Sequence, residues 1–100
     1  MNEEHPHIII DSKFNFGQVV ATSALFNYCE ENKFPLLPYL IRHGNCDWGD
    51  ICDEDKGINE EALKDGLRLM SEYCLPDKRR IWIITEADRS VTTLLFPEEY

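Results

Sequence analysis

The chain has 100 residues, 43% of them hydrophobic, with 19 acidic against 10 basic side chains and a formal charge of −9. That length suits one compact domain, which buries roughly 65% of the surface its unfolded chain exposes. The charge excludes ordinary nucleic-acid binding, which needs Lys and Arg to replace phosphate counterions, and the one basic cluster, Lys78-Arg79-Arg80, is too small to reverse it.

No apolar run is long enough to span a membrane, and "MNEEHPHIII" puts acids where an export signal needs Lys or Arg. A cytosolic location is therefore expected, with Cys29, Cys46, Cys52 and Cys74 kept as thiols. Residues 1–13 read as a flexible extension, polar apart from Ile8 to Ile10, ahead of a single domain over 14–100. In "FNFGQVVATS", Phe14, Phe16, Gln18 and Val20 fall on one side and Val19 and Ala21 on the other, the pattern of a short strand entering a helix. Thr22 is the expected N-cap, with Ala21 and Phe26 as the apolar staple, and the helix over Ser23 to Glu31 should bury Leu25, Tyr28 and Cys29.

In "NKFPLLPYLIRHGN" Pro38 belongs at the first position of a short helix, because proline has no backbone donor to lose there. That helix should end at His43, with Gly44 as its left-handed cap and Leu37, Leu40 and Ile41 facing inward. From Asp50 to Tyr73 the chain reads as helical in two segments with a bend near Gly57. Asn59 caps the second, Ile58 is stapled to Leu63, and Leu63, Leu67, Met70 and Cys74 form one apolar stripe. Pro76 stops the helix. Ile81, Ile83 and Thr85 then alternate with Trp82, Ile84 and Glu86, and Val91, Thr93 and Leu95 with Thr92, Leu94 and Phe96. This is a β-hairpin apolar on both faces, in which Thr85 and Thr92 can pair across the strands. The expected fold is α+β: a small antiparallel sheet, the hairpin plus the Phe14 to Val20 strand, packed with three or four helices.

The acidic segment "CDWGDICDEDKGINEE" sets Asp47, Asp50, Asp53, Glu54, Asp55, Glu60 and Glu61 against Lys56 alone. It is not a calcium loop, since counting from Asp47 puts Gly49, Ile51 and Cys52 where such a loop needs two oxygen ligands and a glycine. The acids are either a solvated helix face, favoured near a helix N-terminus, or an array that imitates phosphate spacing and enters a partner's basic groove. His43-x-x-Cys46 has the spacing of a metal knuckle, but Cys52 and Cys74 lack the second paired spacing that zinc needs. No G-x-S-x-G, C-x-x-C or glycine-rich phosphate loop is present, and His5 and His7 lie in the extension, so no catalytic residue, metal or cofactor is assigned. Glu86-Ala87-Asp88-Arg89-Ser90 reads first as a hairpin turn in which Arg89 pairs with Asp88 or Glu86. Its functional reading makes Arg89 a fixed guanidinium offered to a partner.

The motifs "GNCDWGDIC", "NEEALKDGLRLMSEY" and "IWIITEADRSVTTLLFPEEY", with "GQVVAT" upstream, resemble a family of small bacterial proteins carried largely on plasmids and integrative elements and loosely labelled plasmid-related or restriction-modification-associated. The resemblance covers residues 17–100 and brings no catalytic assignment with it. It directs attention to Trp48, Gly49 and Asp50, and to Thr85, Glu86, Asp88, Arg89, Thr92 and Thr93. The expectation is a non-enzymatic accessory protein of a mobile element. It would bind a protein partner, with a nucleic-acid-handling protein the class an acidic surface fits, through Asp47, Trp48, Asp50, Asp53, Glu54, Asp55, Glu86, Asp88 and Arg89. The alternative is a small enzyme or ligand-binding domain whose site joins Trp48 and Asp50 to the Glu86 to Thr93 hairpin.

Overall fold

The computed structural model of the protein describes residues 12–100, so His5, His7 and the Ile8 to Ile10 run lie outside the described residues. In chain order the elements are β1 (Gln18–Ala21), α1 (Ser23–Asn32), α2 (Leu37–Gly44), α3 (Asp53–Asp65), β2 (Leu69–Cys74), β3 (Arg80–Thr85) and β4 (Val91–Leu95), closed by a 3-10 turn over Pro97–Glu99. The result is a small α+β fold. The sheet order is β1-β4-β3-β2. β2, β3 and β4 form an antiparallel meander, whereas β1 joins β4 in parallel, so the sheet is mixed. None of the helices is long and apolar enough to cross a membrane among the described residues.

Thr22 caps α1 as its sequence position requires, its hydroxyl accepting from the Leu25 N–H at 3.2 Å. Leu25 and Cys29 are buried by that helix, Tyr28 is only half-buried, and Phe26 stays 52% exposed. Pro38 sits in the first turn of α2. Of the three α2 side chains expected to face inward, only Leu40 is buried; Leu37 and Ile41 are exposed. Gly44 is the last helical residue rather than a left-handed cap, and the positive φ falls on Cys46 instead.

The largest departure from the periodicity lies between Asp50 and Cys74. α3 runs unbroken through Gly57 and stops at Gly66, whose φ of 69° makes it the left-handed cap. Leu69–Cys74 is then a strand, with Leu69, Ser71 and Tyr73 buried on one face. The Leu63, Leu67, Met70 and Cys74 spacing therefore crosses a helix, a cap and a strand. Asn59 is not an N-cap either. It is buried within α3, and its amide donates to the Met70 carbonyl (2.7 Å) and accepts from the Met70 N–H (3.2 Å), which ties α3 to β2.

Two apolar clusters organise the interior. The larger joins Leu25 and Cys29 of α1 to Tyr73, Ile81, Ile83, Leu94 and Phe96 under the sheet. The smaller joins Trp48, Ala62 and Leu69, with Phe14, Ile51 and Leu63 against them, where α3 meets β2. On the opposite sheet face Trp82 is only half-buried, its indole N–H donating to Glu72 at 3.0 Å and its ring edge-on to Tyr100.

Candidate functional site

Asp47, Trp48 and Asp50 sit where the chain leaves α2 and runs beside the outer edge of β2. Trp48 and Asp50 flank Gly49, which pairs in parallel with Glu72: the Glu72 N–H donates to the Trp48 carbonyl (3.2 Å) and the Asp50 N–H to the Glu72 carbonyl (2.7 Å). Gly49 has a φ of 75°, and a Cβ built there would lie 2.0 Å from the Glu72 carbonyl oxygen, so only glycine permits this approach. Trp48 is 3% exposed and its indole N–H donates to Glu60 at 2.9 Å. Asp47 accepts from Arg42 at 2.7 Å and from the Gly49 N–H at 3.2 Å, and the Arg42 bond holds its carboxyl below the usual carboxylate range. Asp50 pairs with Arg80 at 3.4 Å.

The Glu86 to Ser90 turn is built from its backbone. The Glu86 N–H donates to the Val91 carbonyl (3.0 Å), the Arg89 N–H to the Glu86 carbonyl (2.9 Å), and the Asp88 carboxylate accepts the Ser90 N–H (3.0 Å); the Ser90 side chain first, and then this backbone bond, lower the Asp88 pKa. Arg89, at a φ of 59°, forms no ion pair with Asp88 or Glu86. Its guanidinium instead donates to four carbonyls: Leu67 (2.6 Å), Glu86 (3.1 Å), Ala62 (3.2 Å) and Ala87 (3.3 Å). Two of these belong to the C-terminal end of α3 and its exit, where orphan carbonyls and the negative end of the helix dipole favour a cation. Arg89 thus clamps the hairpin to α3 through Nη1 and Nη2.

Between these two motifs lies Phe14. Its ring stacks on Trp48 with centroids 6.3 Å apart, and the Arg89 guanidinium carbon lies 5.9 Å from its centre. The space where a site joining Trp48 to the hairpin would open is filled by this side chain.

Beneath Phe14 is a buried polar chain that the sequence reading missed. His43 is fully buried; its Nδ1 lies 2.6 Å from the Ser71 hydroxyl and its Nε2 2.9 Å from that of Thr85. Thr85 and Thr92, which are indeed cross-strand partners, have hydroxyls 2.7 Å apart, and the Thr92 hydroxyl donates to the Phe16 carbonyl at 2.8 Å. The proton order follows from that last acceptor. A carbonyl only accepts, so Thr92 spends its proton there and accepts from Thr85. Thr85 in turn accepts from His43 Nε2–H, and Nδ1 accepts from Ser71. Burial, with the Arg89 charge adding to it, pushes the His43 pKa down to about 3, so the ring is neutral. With no exposed atom and both nitrogens committed, this imidazole serves neither an external substrate nor the His43-x-x-Cys46 knuckle. Among the described residues no group of three or more His, Cys, Asp or Glu side chains could hold a metal ion. The alternation of Ser71, Thr85 and Thr92 on one sheet face was the available signal, hidden by the assignment of Ser71 to a helix.

Asp53, Glu54 and Asp55 stand apart from all of this. They form the exposed first turn of α3, where the helix dipole favours them, and take part in no salt bridge among the described residues. Asp55 also lines a cleft of about 230 Å³ with Ile51, Ile58, Asn59, Arg68 and Met70. Ile58 at its rim is 57% exposed. Of the nine residues singled out from sequence, then, the structure groups Asp47, Trp48 and Asp50 at the β2 edge, Asp53, Glu54 and Asp55 on α3, and Glu86, Asp88 and Arg89 in the β3–β4 turn. No family model, curated protein or solved structure matches this chain.

Proposed function

We propose that this chain is a non-enzymatic, cytosolic accessory protein of a mobile genetic element that binds a protein partner through the start of α3, the partner being a nucleic-acid-handling protein with a basic surface. The observation that carries the reading is the position of Asp55, at once the end of an exposed, unpaired carboxylate row and part of the wall of a cleft that sets Ile51, Ile58 and Met70 beside Asn59 and Arg68. Carboxylates beside such a hollow suit a basic segment that carries one bulky side chain: charge steers the encounter, and the hollow takes the anchor. Asp47, Asp50 and Arg89, already engaged within the fold, support the surface rather than form it. The mobile-element setting rests on the resemblance of the motifs. The alternative, a ligand site between Trp48 and the hairpin, has Phe14 standing in its place.

The test is affinity capture from a host lysate with the wild-type chain and with Asp53→Asn/Glu54→Gln/Asp55→Asn. Capture should weaken steeply with salt, because exposed charges are screened over about 10 Å at 0.1 M ionic strength. The triple variant should lose capture while melting cooperatively. Capture that ignores both salt and the triple change would return these acids to the role of a solvated helix start.

A further inference from the structure

At the opposite edge of the sheet from α3, β1 has β4 on one side and no strand on the other among the described residues. The Gln18 N–H donates to the Ser90 carbonyl and the Thr22 N–H to the Leu94 carbonyl, so by strand alternation residues 18, 20 and 22 turn their backbone groups toward β4. Val19 and Ala21 therefore direct an N–H and a C=O each outward. A groove of about 410 Å³ runs along this edge, walled by β1, by Phe26 of α1 and by Leu36, Leu37 and Leu40 at α2. Val19, Val20, Phe26 and Leu37 in this groove, and Ile41 on α2, are between 36% and 52% exposed. Together they leave on the order of 400 Å² open per chain, the size of the largest patch a monomer ordinarily exposes. The edge carries none of the devices that keep strand edges apart, since Gln18–Ala21 has no charge, proline or bulge.

We infer that a second copy of this chain covers the edge, β1 pairing antiparallel with the β1 of its partner about a two-fold axis at Val20. That register is self-complementary. Val19 faces Ala21 of the other chain and Ala21 faces its Val19, each pair exchanging two N–H···O bonds, so all eight outward groups are satisfied by four bonds. Val20 meets its own copy on the axis. The two four-stranded sheets become one, and the exposed side chains of α1 and α2 close on their symmetry mates. Charge selects this occupant over an unrelated peptide: the chain carries −9, yet the groove is lined by eight uncharged residues. Two copies thus meet without facing like charges, and a basic segment drawn by the overall field would find no carboxylate in the groove to pair with. The inference is independent of the α3 surface and is tested on the purified chain alone.

Two variants probe the seam. Val19→Pro removes an outward N–H without touching the β1–β4 ladder, as an edge strand tolerates. Val20→Lys puts two like charges on the axis. Sedimentation across the micromolar range should give twice the 11.7 kDa chain mass for the wild type, with slowed deuterium exchange at the Val19 and Ala21 amides. Each variant should move to one chain mass with its circular dichroism unchanged. A wild type that stays at one chain mass overturns the inference: open amides would leave the edge to a strand of another protein, and protected amides would mean that the chain covers its own edge. A dimer that survives both substitutions overturns it too, placing the seam elsewhere.

Discussion

The Nε2 atom of His43 lies 2.9 Å from the Thr85 hydroxyl, and the one-way chain of donors beyond it fixes which nitrogen carries the proton. A protonated ring would have to donate from Nδ1 as well, toward a Ser71 hydroxyl already turned to donate to it. Charging therefore forces the Ser71 hydroxyl to turn and accept, as well as burying a cation.

The pH dependence follows with its sign. Unfolded, His43 takes its proton near 6.5; folded, it resists down to about 3. Between those values the unfolded state binds more protons, so stability falls on acidification by up to about 1.4 kcal/mol per pH unit. Denaturant midpoints measured from pH 7 to 4 for the wild type and for His43→Gln should show the steeper decline in the wild type. Parallel declines would mean that the ring is not held neutral, and nitrogen NMR should independently report the Nε2–H tautomer.

Arg89→Ala removes hydrogen bonds from a charged donor to four carbonyls, two of them at the end of α3. Such bonds are each stronger than neutral ones, and the variant should lose about 2 to 3 kcal/mol in urea melts. Arg89→Lys should recover only part of this, because an ammonium cannot fork. Asp88→Ala, at an exposed turn position, should cost about 1 kcal/mol or less. An Arg89→Ala chain as stable as wild type would show the clamp to be idle.

Two glycines should answer an alanine substitution with opposite signs. At Gly49 the new methyl meets the Glu72 carbonyl and the φ of 75° is strained for any side chain, so a loss of at least about 2 kcal/mol is expected. Gly57 lies inside α3 with nothing within 4 Å of an added Cβ. There alanine should raise stability by about 0.5 to 1 kcal/mol through helix propensity and a less mobile unfolded chain. Thermal melts of the pair settle both.

The two tryptophans should also separate. Trp48→Ala empties a buried site between α3 and β2 and should cost about 3 to 5 kcal/mol. Trp82→Ala acts on a half-buried ring and should cost less than half of that, contrary to the central place its hairpin position suggests. Equal losses would mean that the outer sheet face is a second core.

Where local chemistry decides the structure, the sequence was readable. The Thr22 cap, the proline in the first turn of α2 and the β3–β4 hairpin with its Thr85–Thr92 pair all depend on near neighbours. The stretch from Asp50 to Cys74 was misread because Leu63, Leu67, Met70 and Cys74 satisfy a helical period while Leu69, Ser71 and Tyr73 satisfy a strand period. Gly66 was the deciding residue, since its freedom at positive φ ends α3 before the stripe is complete. The surroundings of the site residues were illegible for a different reason. Trp48, Asp50 and Arg89 stand on motifs with clear composition, but their partners, Glu60, Arg80 and the α3 carbonyls, are set by tertiary contacts that spacing does not encode.

β1 and β4 impose an order of assembly. The Phe16 carbonyl and the Thr92 hydroxyl that donates to it are 76 positions apart, whereas β2, β3 and β4 follow one another through short turns. Closing the larger loop carries the greater entropic cost, so the meander can form on local contacts while β1 waits. A chain made from its N-terminus onward therefore carries Gln18–Ala21 bare on both sides until Val91–Leu95 has been synthesised. β1 should show φ-values near zero at Val20→Ala against intermediate or high ones at Ile83→Val, and its amides should exchange through openings that leave β3 closed. The first strand in the sequence is the last to find its neighbour, and for that interval it is the part of the chain most open to capture by the wrong one.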